Sequence, residues 1–184
     1  NGITITQANN VTFTGTVAAA WIDQTDSQGT TLFDDNITTT GTTGGYGIDL
    51  RSLTRINLGG GAPAITVNAG ANAIRLRSDA FTFNVASITA SSVTIGPYTA
   101  GGAMGIENSA IAINITDALL DTIVGDIVLG DAATGAMTIA NGGVGGNVNL
   151  TQNDDLTFVS GTTINLIGVA GSAAITTTAG GTVT

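Results

Sequence analysis

The sequence predicts an all-β fold, a parallel β-helix (β-solenoid) of about seven to eight coils of short strands. Three observations predict it. Triplets of an apolar residue, a polar or small residue and a second apolar residue recur about seven to twelve residues apart. This period of two marks a pleated strand with one buried face. The intervals hold Gly, Asn, Asp, Ser and Thr, which supply positive backbone angles or cap their own turns, so the chain turns after every few residues. Aromatic residues make up only 4% of a chain that carries 27 glycines. Its core therefore has to be assembled from Ile, Val, Leu and Ala in thin layers.

In chain order the clearest triplets are Ile3-Thr4-Ile5, Val11-Thr12-Phe13, Ile48-Asp49-Leu50, Ile56-Asn57-Leu58, Ile65-Thr66-Val67, Ile74-Arg75-Leu76 and Phe81-Thr82-Phe83. They continue as Val93-Thr94-Ile95, Ile127-Val128-Leu129, Met137-Thr138-Ile139, Val148-Asn149-Leu150, Leu156-Thr157-Phe158 and Ile164-Asn165-Leu166. The middle residue is polar or charged in nearly all of them, as an outward face requires; Val128 suggests a strand covered on both sides. The outer residues, among them Val11, Phe13, Phe81, Phe83, Leu129 and Phe158, are expected in the core. A unit of turn residues followed by an apolar residue and Thr recurs at Asn9–Gly15, Asp35–Gly41 and Asp154–Gly161, with a looser copy at Asp79–Phe83. Its spacings fit multiples of a coil of roughly 22 to 26 residues. Stacked about 4.8 Å apart, such coils make a rod on the order of 35 Å long.

Two stretches break the rhythm. Ala18 to Gly29 reads as a loop or a single helical turn, with Trp21 either folded over one end of the core or exposed for a partner. In the second, Thr116 is placed to cap a short helix that ends at Gly125.

The second stretch also carries a resemblance. Leu119-Leu120-Asp121-Thr122-Ile123, Gly125-Asp126-Ile127-Val128-Leu129-Gly130 and Gly135-Ala136-Met137-Thr138-Ile139 resemble a phrase of filamentous-haemagglutinin-like adhesins and related β-strand-repeat surface proteins. That phrase joins a Leu-Asp-basic-Ile turn, a strand ending in Gly, and a Gly-x-Ile-Thr-Val strand. Thr122 stands where the family usually has Arg or Lys. The resemblance is specific over residues 118–140 and stylistic elsewhere. It implies a right-handed parallel β-helix in an extracellular fibre, without catalytic residues.

Composition limits the partners. The chain of 184 residues has a net charge of −9 and no Lys, its cations being Arg51, Arg55, Arg75 and Arg77. Nucleic acid is therefore excluded as an expected partner. Arg75 and Arg77 flank Leu76 and should share an outward face, either as solvated side chains or as a patch for an anionic glycan or partner. Cysteine and histidine are absent, which removes a disulfide framework and weakens zinc binding and ordinary acid–base catalysis. Apolar runs are far shorter than a bilayer-spanning helix needs, and the triplets are too short for a transmembrane barrel. No composition shift marks a linker, so residues 1–184 read as one domain. Both ends are strand-like and look uncapped, which suggests an excerpt or repeating subunit of a longer fibre.

Candidate chemistry is sparse. Gly44-Gly45-Tyr46-Gly47-Ile48-Asp49 matches the start of a calcium-binding nonapeptide, and Gly142-Gly143-Val144-Gly145-Gly146-Asn147 is a degenerate echo. Neither is tandem, and Arg51 stands where a large apolar residue belongs. Asp34, Asp35, Asp154 and Asp155, with Asp23, Asp26, Asp126 and Asp131, could offer oxygen ligands, but Asp is equally the residue of turns. Asp49 and Arg51 on one strand face, near Arg55, read as an ion pair, since a glycosidase needs two carboxylates. Thr12 and Thr14, Thr38 to Thr40, and Thr176 to Thr178 are too irregularly spaced for an ice-binding ladder. Asn10, Asn36, Asn114 and Asn149 lie in Asn-x-Thr sequons.

The expected function is thus a non-catalytic structural module of a secreted or cell-surface adhesin or extracellular filament, needing no cofactor or metal. Expected partners are identical subunits or neighbouring repeats stacked end to end, and host or matrix glycans or surface proteins. The alternatives are an immunoglobulin-like filament subunit assembled by strand donation, and a carbohydrate-active β-helix enzyme.

Overall fold

Parallel pairing joins the short strands into ladders that run the length of the chain. The structure, a computed structural model, describes residues 1–61, 63–140, 148–150, 155–167, 169–171 and 175–184, with the backbone alone at 148–150, 169–171 and 175. The longest ladder takes β1 (Ile3–Ile5), β4 (Ile22–Gln24), β7 (Tyr46–Ser52), β10 (Ala73–Ser78), β12 (Val85–Gly96), β15 (Ile123–Asp131), β18 (Leu156–Ser160) and β21 (Ile175–Ala179) in that order. A second stacks β2 (Val11–Phe13), β5 (Thr30–Phe33), β8 (Arg55–Leu58) and β11 (Phe81–Phe83). A third runs β14 (Ile113–Ile115), β13 (Met104–Ile106), β16 (Met137–Ile139) and β19 (Ile164–Leu166). Finally β3 (Val17–Ala19), β6 (Ile37–Thr39) and β9 (Ile65–Asn68) join the leading half of β12, and β17 (Val148–Leu150) pairs with β20 (Val169–Gly171).

Every pairing between these strands is parallel. The antiparallel sheets of an immunoglobulin-like sandwich are not what these ladders build. Parallel register puts like residues above one another: Ile3, Ile22, Ile48, Ile74, Val93, Ile127 and Leu156 form one column, at steps of about 19 to 34 residues. Ile5, Gln24, Leu50, Leu76, Ile95, Leu129 and Phe158 form the next inward column. The steps are less even than a coil of 22 to 26 residues; the longest, from Val93 to Ile127, contains β13, β14 and a short helix over residues 117–120.

The inward columns make one continuous apolar cluster, with Ile22, Leu50, Ile56, Ile74, Ile127, Leu129 and Phe158 essentially inaccessible. Val11, Phe13, Phe81 and Phe83 were expected beside them but are only half-buried. The cause is position in the ladder: β2 and β11 are the outermost strands of their sheet, so each lacks a covering layer on one side. Val128 is half-buried, so its outer face is partly covered.

Buried serines close one corner. Ser27 donates its hydroxyl to the Asn9 carbonyl at 3.1 Å, Ser52 to Gly29 at 2.6 Å and Ser160 to Gly135 at 2.6 Å. Each thereby gives a hydrogen bond to a carbonyl 18 to 25 residues earlier, and that of Gly29 also accepts from the Thr54 amide at 3.2 Å.

Both irregular stretches differ from expectation. Ala18 to Gly29 is neither loop nor helical turn, since it contains part of β3 and all of β4; pairing with β6 and with β1 and β7 overrides the weak β propensity of Ala, Asp and Gln. Trp21 is half-buried and lies over Gly2, where any side chain would collide with the indole. Thr116 does cap a helix, α1 (Asp117–Leu120), accepting from the Leu119 amide at 3.2 Å. The helix stops well before Gly125, which lies within β15 at φ +124°, where the register with β12 slips between Thr89 and Ser92.

Candidate functional site

The densest charge cluster lies on the outer face of β7 and β10. Ile48 and Leu50 point into the core, so Asp49 between them faces outward, yet it is only 5% exposed. The register sets Arg75 directly beside it. Arg75 Nε donates to Asp49 Oδ1 at 2.9 Å while Nη2 bonds Oδ2, a two-pronged pair. Arg51 Nη2 adds a third contact to Oδ2 at 3.3 Å. The Arg75 guanidinium also lies 4.2 Å from the centre of the Tyr46 ring and donates from Nη1 to its hydroxyl at 3.3 Å. The bond to Asp49 raises the Arg75 pKa above its already high ordinary value, against the opposing effect of burial.

Arg77 lies in register with Arg51 and reaches past Gly96, which has no side chain to obstruct it, to an ion pair with Asp131. Three of the four arginines thus share one face as ion-paired side chains, and Arg51 Nε is buried without a partner. Asp49 is an ion-pair acceptor, as Asp49 and Arg51 on one strand face suggested. Its partner Arg75, 26 residues away, and the Arg77–Asp131 pair were not foreseen. Chemically this arrangement clamps neighbouring layers by charge, and both Asp49 oxygens are occupied by guanidinium donors.

The glycine motif at Gly44 to Asp49 forms a turn, with φ +56° at Gly44 and +89° at Gly45, leading into β7. Its Asp49 is committed to arginine. Gly142 to Asn147 lies outside the described residues, as does Asp154. Asp35 accepts from the Asn36 amide at 2.7 Å and the Thr16 hydroxyl at 3.0 Å, and these bonds hold its pKa below the ordinary 3.8. Asp34 packs against Gly60 and lies with Asp35 between β5 and β6, while the Asp155 carbonyl, just ahead of β18, accepts from the Ile127 amide at 2.9 Å. Asp26 accepts from the Tyr98 hydroxyl at 2.9 Å, which raises the pKa of that phenol. Among the described residues no three acidic side chains converge as a metal site would require.

Three sequon asparagines have a structural use. The side-chain carbonyls of Asn10, Asn36 and Asn114 accept from the amides of Thr30, Thr66 and Asn108 at 2.8, 2.7 and 2.7 Å. The Asn149 side chain lies outside the described residues. Of the threonine runs, Thr12, Thr14, Thr38, Thr40, Thr176 and Thr178 are exposed while Thr39 is buried.

Compared with protein-family models, curated proteins and solved structures, the chain matches none.

Proposed function

We propose that the chain is a right-handed parallel β-helix serving as a non-catalytic structural module of a secreted or cell-surface adhesin or extracellular filament. The observation that carries this reading is the ladder eight strands deep whose pairings are all parallel. Each layer hydrogen-bonds to the next along the whole stack, which makes a stiff rod. The right hand follows the strong preference of crossovers between parallel strands. The adhesin-like phrase of residues 118–140 supports the same class of protein, falling on α1, β15 and β16. An acidic, Thr-rich outer surface keeps such a rod soluble.

Strands β1, β2 and β3 pair on one side only among the described residues. Their free edges suit the coils of an identical subunit or of neighbouring repeats, and the outer wall suits host or matrix glycans or surface proteins. Antibody against this segment, applied to intact cells of the source and viewed by immunogold electron microscopy, should decorate surface fibres. Labelling confined to the cell interior would refute the extracellular assignment, and a crystal structure with left-handed coils would refute the proposed hand.

A further inference from the structure

Three of the four Asn-x-Thr sequons hold their asparagine in the same way. The side-chain carbonyls of Asn10, Asn36 and Asn114 each accept a main-chain N–H, which fixes the orientation of the amide group, because Oδ1 can accept that bond and Nδ2 cannot. Among the described residues none of these three Nδ2 groups donates a hydrogen bond. Asn72 and Asn84, which lie outside any sequon, behave differently. Their Nδ2 groups donate to the carbonyls of Ala69, at 3.0 Å, and of Gly61.

The motif alone decides nothing in a chain so rich in Asn and Thr; the setting of each copy does. Asn10 stands just ahead of β2 and Asn36 just ahead of β6, both exposed. Residues two apart on an extended chain share a face, so Thr12 and Thr38 point outward beside them, exposed and with hydroxyls that bond to no described residue. Gly29 secures the first site, since any side chain there would collide with Asn10 Oδ1. At Asn36 the main chain is held as well, its carbonyl accepting from the Val17 amide at 2.9 Å and its N–H donating to Asp35 at 2.7 Å. Asn114 differs. It is half-buried in β14, and the Thr116 hydroxyl of its sequon is committed to capping α1.

A sugar on Nδ2 leaves Oδ1 a carbonyl oxygen, so the ties from Asn10 to Thr30 and from Asn36 to Thr66 survive the modification. We propose that Asn10 and Asn36 are N-glycosylation sites and that Asn114 is not. In the transfer, Nδ2 attacks C1 of a glycosyl donor activated as a phosphate ester. The N–C1 bond forms, the C1–O bond breaks, the phosphate leaves with the bonding electrons, and one Nδ2 proton passes to a base of the transferase. The inference rests on the geometry of the sequons and not on the adhesin reading, so either can fail alone.

The test is peptide mapping of the full chain purified from its source. Cleavage on the amino side of Asp places Asn10, Asn36 and Asn114 in separate peptides, 1–22, 35–48 and 79–116. Fragmentation by electron transfer, which leaves the sugar–amide bond intact, should find sugar mass on Asn10 and Asn36 and none on Asn114. Thr12→Ala and Thr38→Ala should each strip the sugar from its own site, whereas Thr12→Ser and Thr38→Ser, which complete the same motif, should keep it. Mapping of the unsubstituted chain needs no variant, so the test holds if one of these fails to fold. Bare Asn10 and Asn36, sugar mass on a threonine hydroxyl in their place, mass that persists in the alanine variants, or equal occupancy at Asn114 would each overturn the proposal.

Discussion

Gln24 and Thr31 meet inside the core, seven residues apart in sequence but on strands of different ladders. Gln24 Nε2 donates to Thr31 Oγ1 at 2.7 Å and to the Arg51 carbonyl at 2.8 Å, and both side chains are fully buried. Gln24 stands in the column between Ile5 and Leu50, and Thr31 in the column between Val11 and Ile56. Two polar residues at apolar positions are tolerated because each satisfies the other.

Gln24→Met should therefore destabilise the protein by about 1 to 3 kcal/mol, the cost of leaving Thr31 and a carbonyl without their donor. Adding Thr31→Val should recover part of the loss, since only the Arg51 carbonyl then still lacks its donor. A double-mutant cycle from urea denaturation measures this coupling; additive effects would mean that the two side chains do not depend on each other.

On the outer face, Asp49→Asn should cost about 2 to 3 kcal/mol by weakening the charge-assisted bonds to Arg75 and Arg51. The contribution of Arg51 is the smaller, because that side chain is 37% exposed. Arg75 stays charged at every pH a folding experiment reaches, so the loss should hardly vary from pH 5 to 9. It should also persist at about 0.5 M salt, which screens exposed pairs far more than one built on a nearly buried carboxylate. Arg75→Lys should be destabilising as well, since an ammonium cannot make the two-pronged contact. Denaturation at low and high salt checks both variants.

Asp35 gives a pH-dependent effect with a definite sign. Its carboxyl pKa is lowered in the folded chain by the Asn36 amide and the Thr16 hydroxyl. The stabilisation is present above the ordinary value of 3.8 and is lost as pH falls through the lower folded-state value. Asp35→Ala should thus lower the urea midpoint at neutral pH, and the gap from the parent protein should close progressively below about pH 4. A gap of constant size down to pH 2 would show that the carboxylate charge is not responsible.

Much of the strand pattern was legible because period-two triplets and turn residues act locally. Ile48-Asp49-Leu50, Ile74-Arg75-Leu76 and Ile127-Val128-Leu129 all fall in strands with their outer residues buried. What escaped the sequence depends on which coil lies next to which. β4 hides in Ile22-Asp23-Gln24, whose inward Gln is intelligible only once Thr31 stands opposite it. The partners of Arg75 and Arg77 are set by register across layers, and spacing along the chain cannot specify that register. The corner serines look like ordinary turn residues until the carbonyls they satisfy are known.

The most direct check on register compares neighbouring residues of β15. Leu129 is fully buried in the column between Ile95 and Phe158, whereas Val128 is half-buried on the opposite face between Thr94 and Thr157. Leu129→Asp would place an unpaired carboxylate in the apolar column and should cost about 3 to 5 kcal/mol or more. For a chain of this size that corresponds to a fall of roughly 6 to 20 °C in Tm. Val128→Asp sets its charge among threonines with access to water and should cost only about 1 kcal/mol. Because side chains alternate between faces, a slip of one residue in the pairing would exchange the two outcomes. A larger loss for Val128→Asp than for Leu129→Asp, measured by thermal denaturation, would therefore place the inward face of β15 on the wrong residues and undo the column that joins Leu76, Ile95, Leu129 and Phe158.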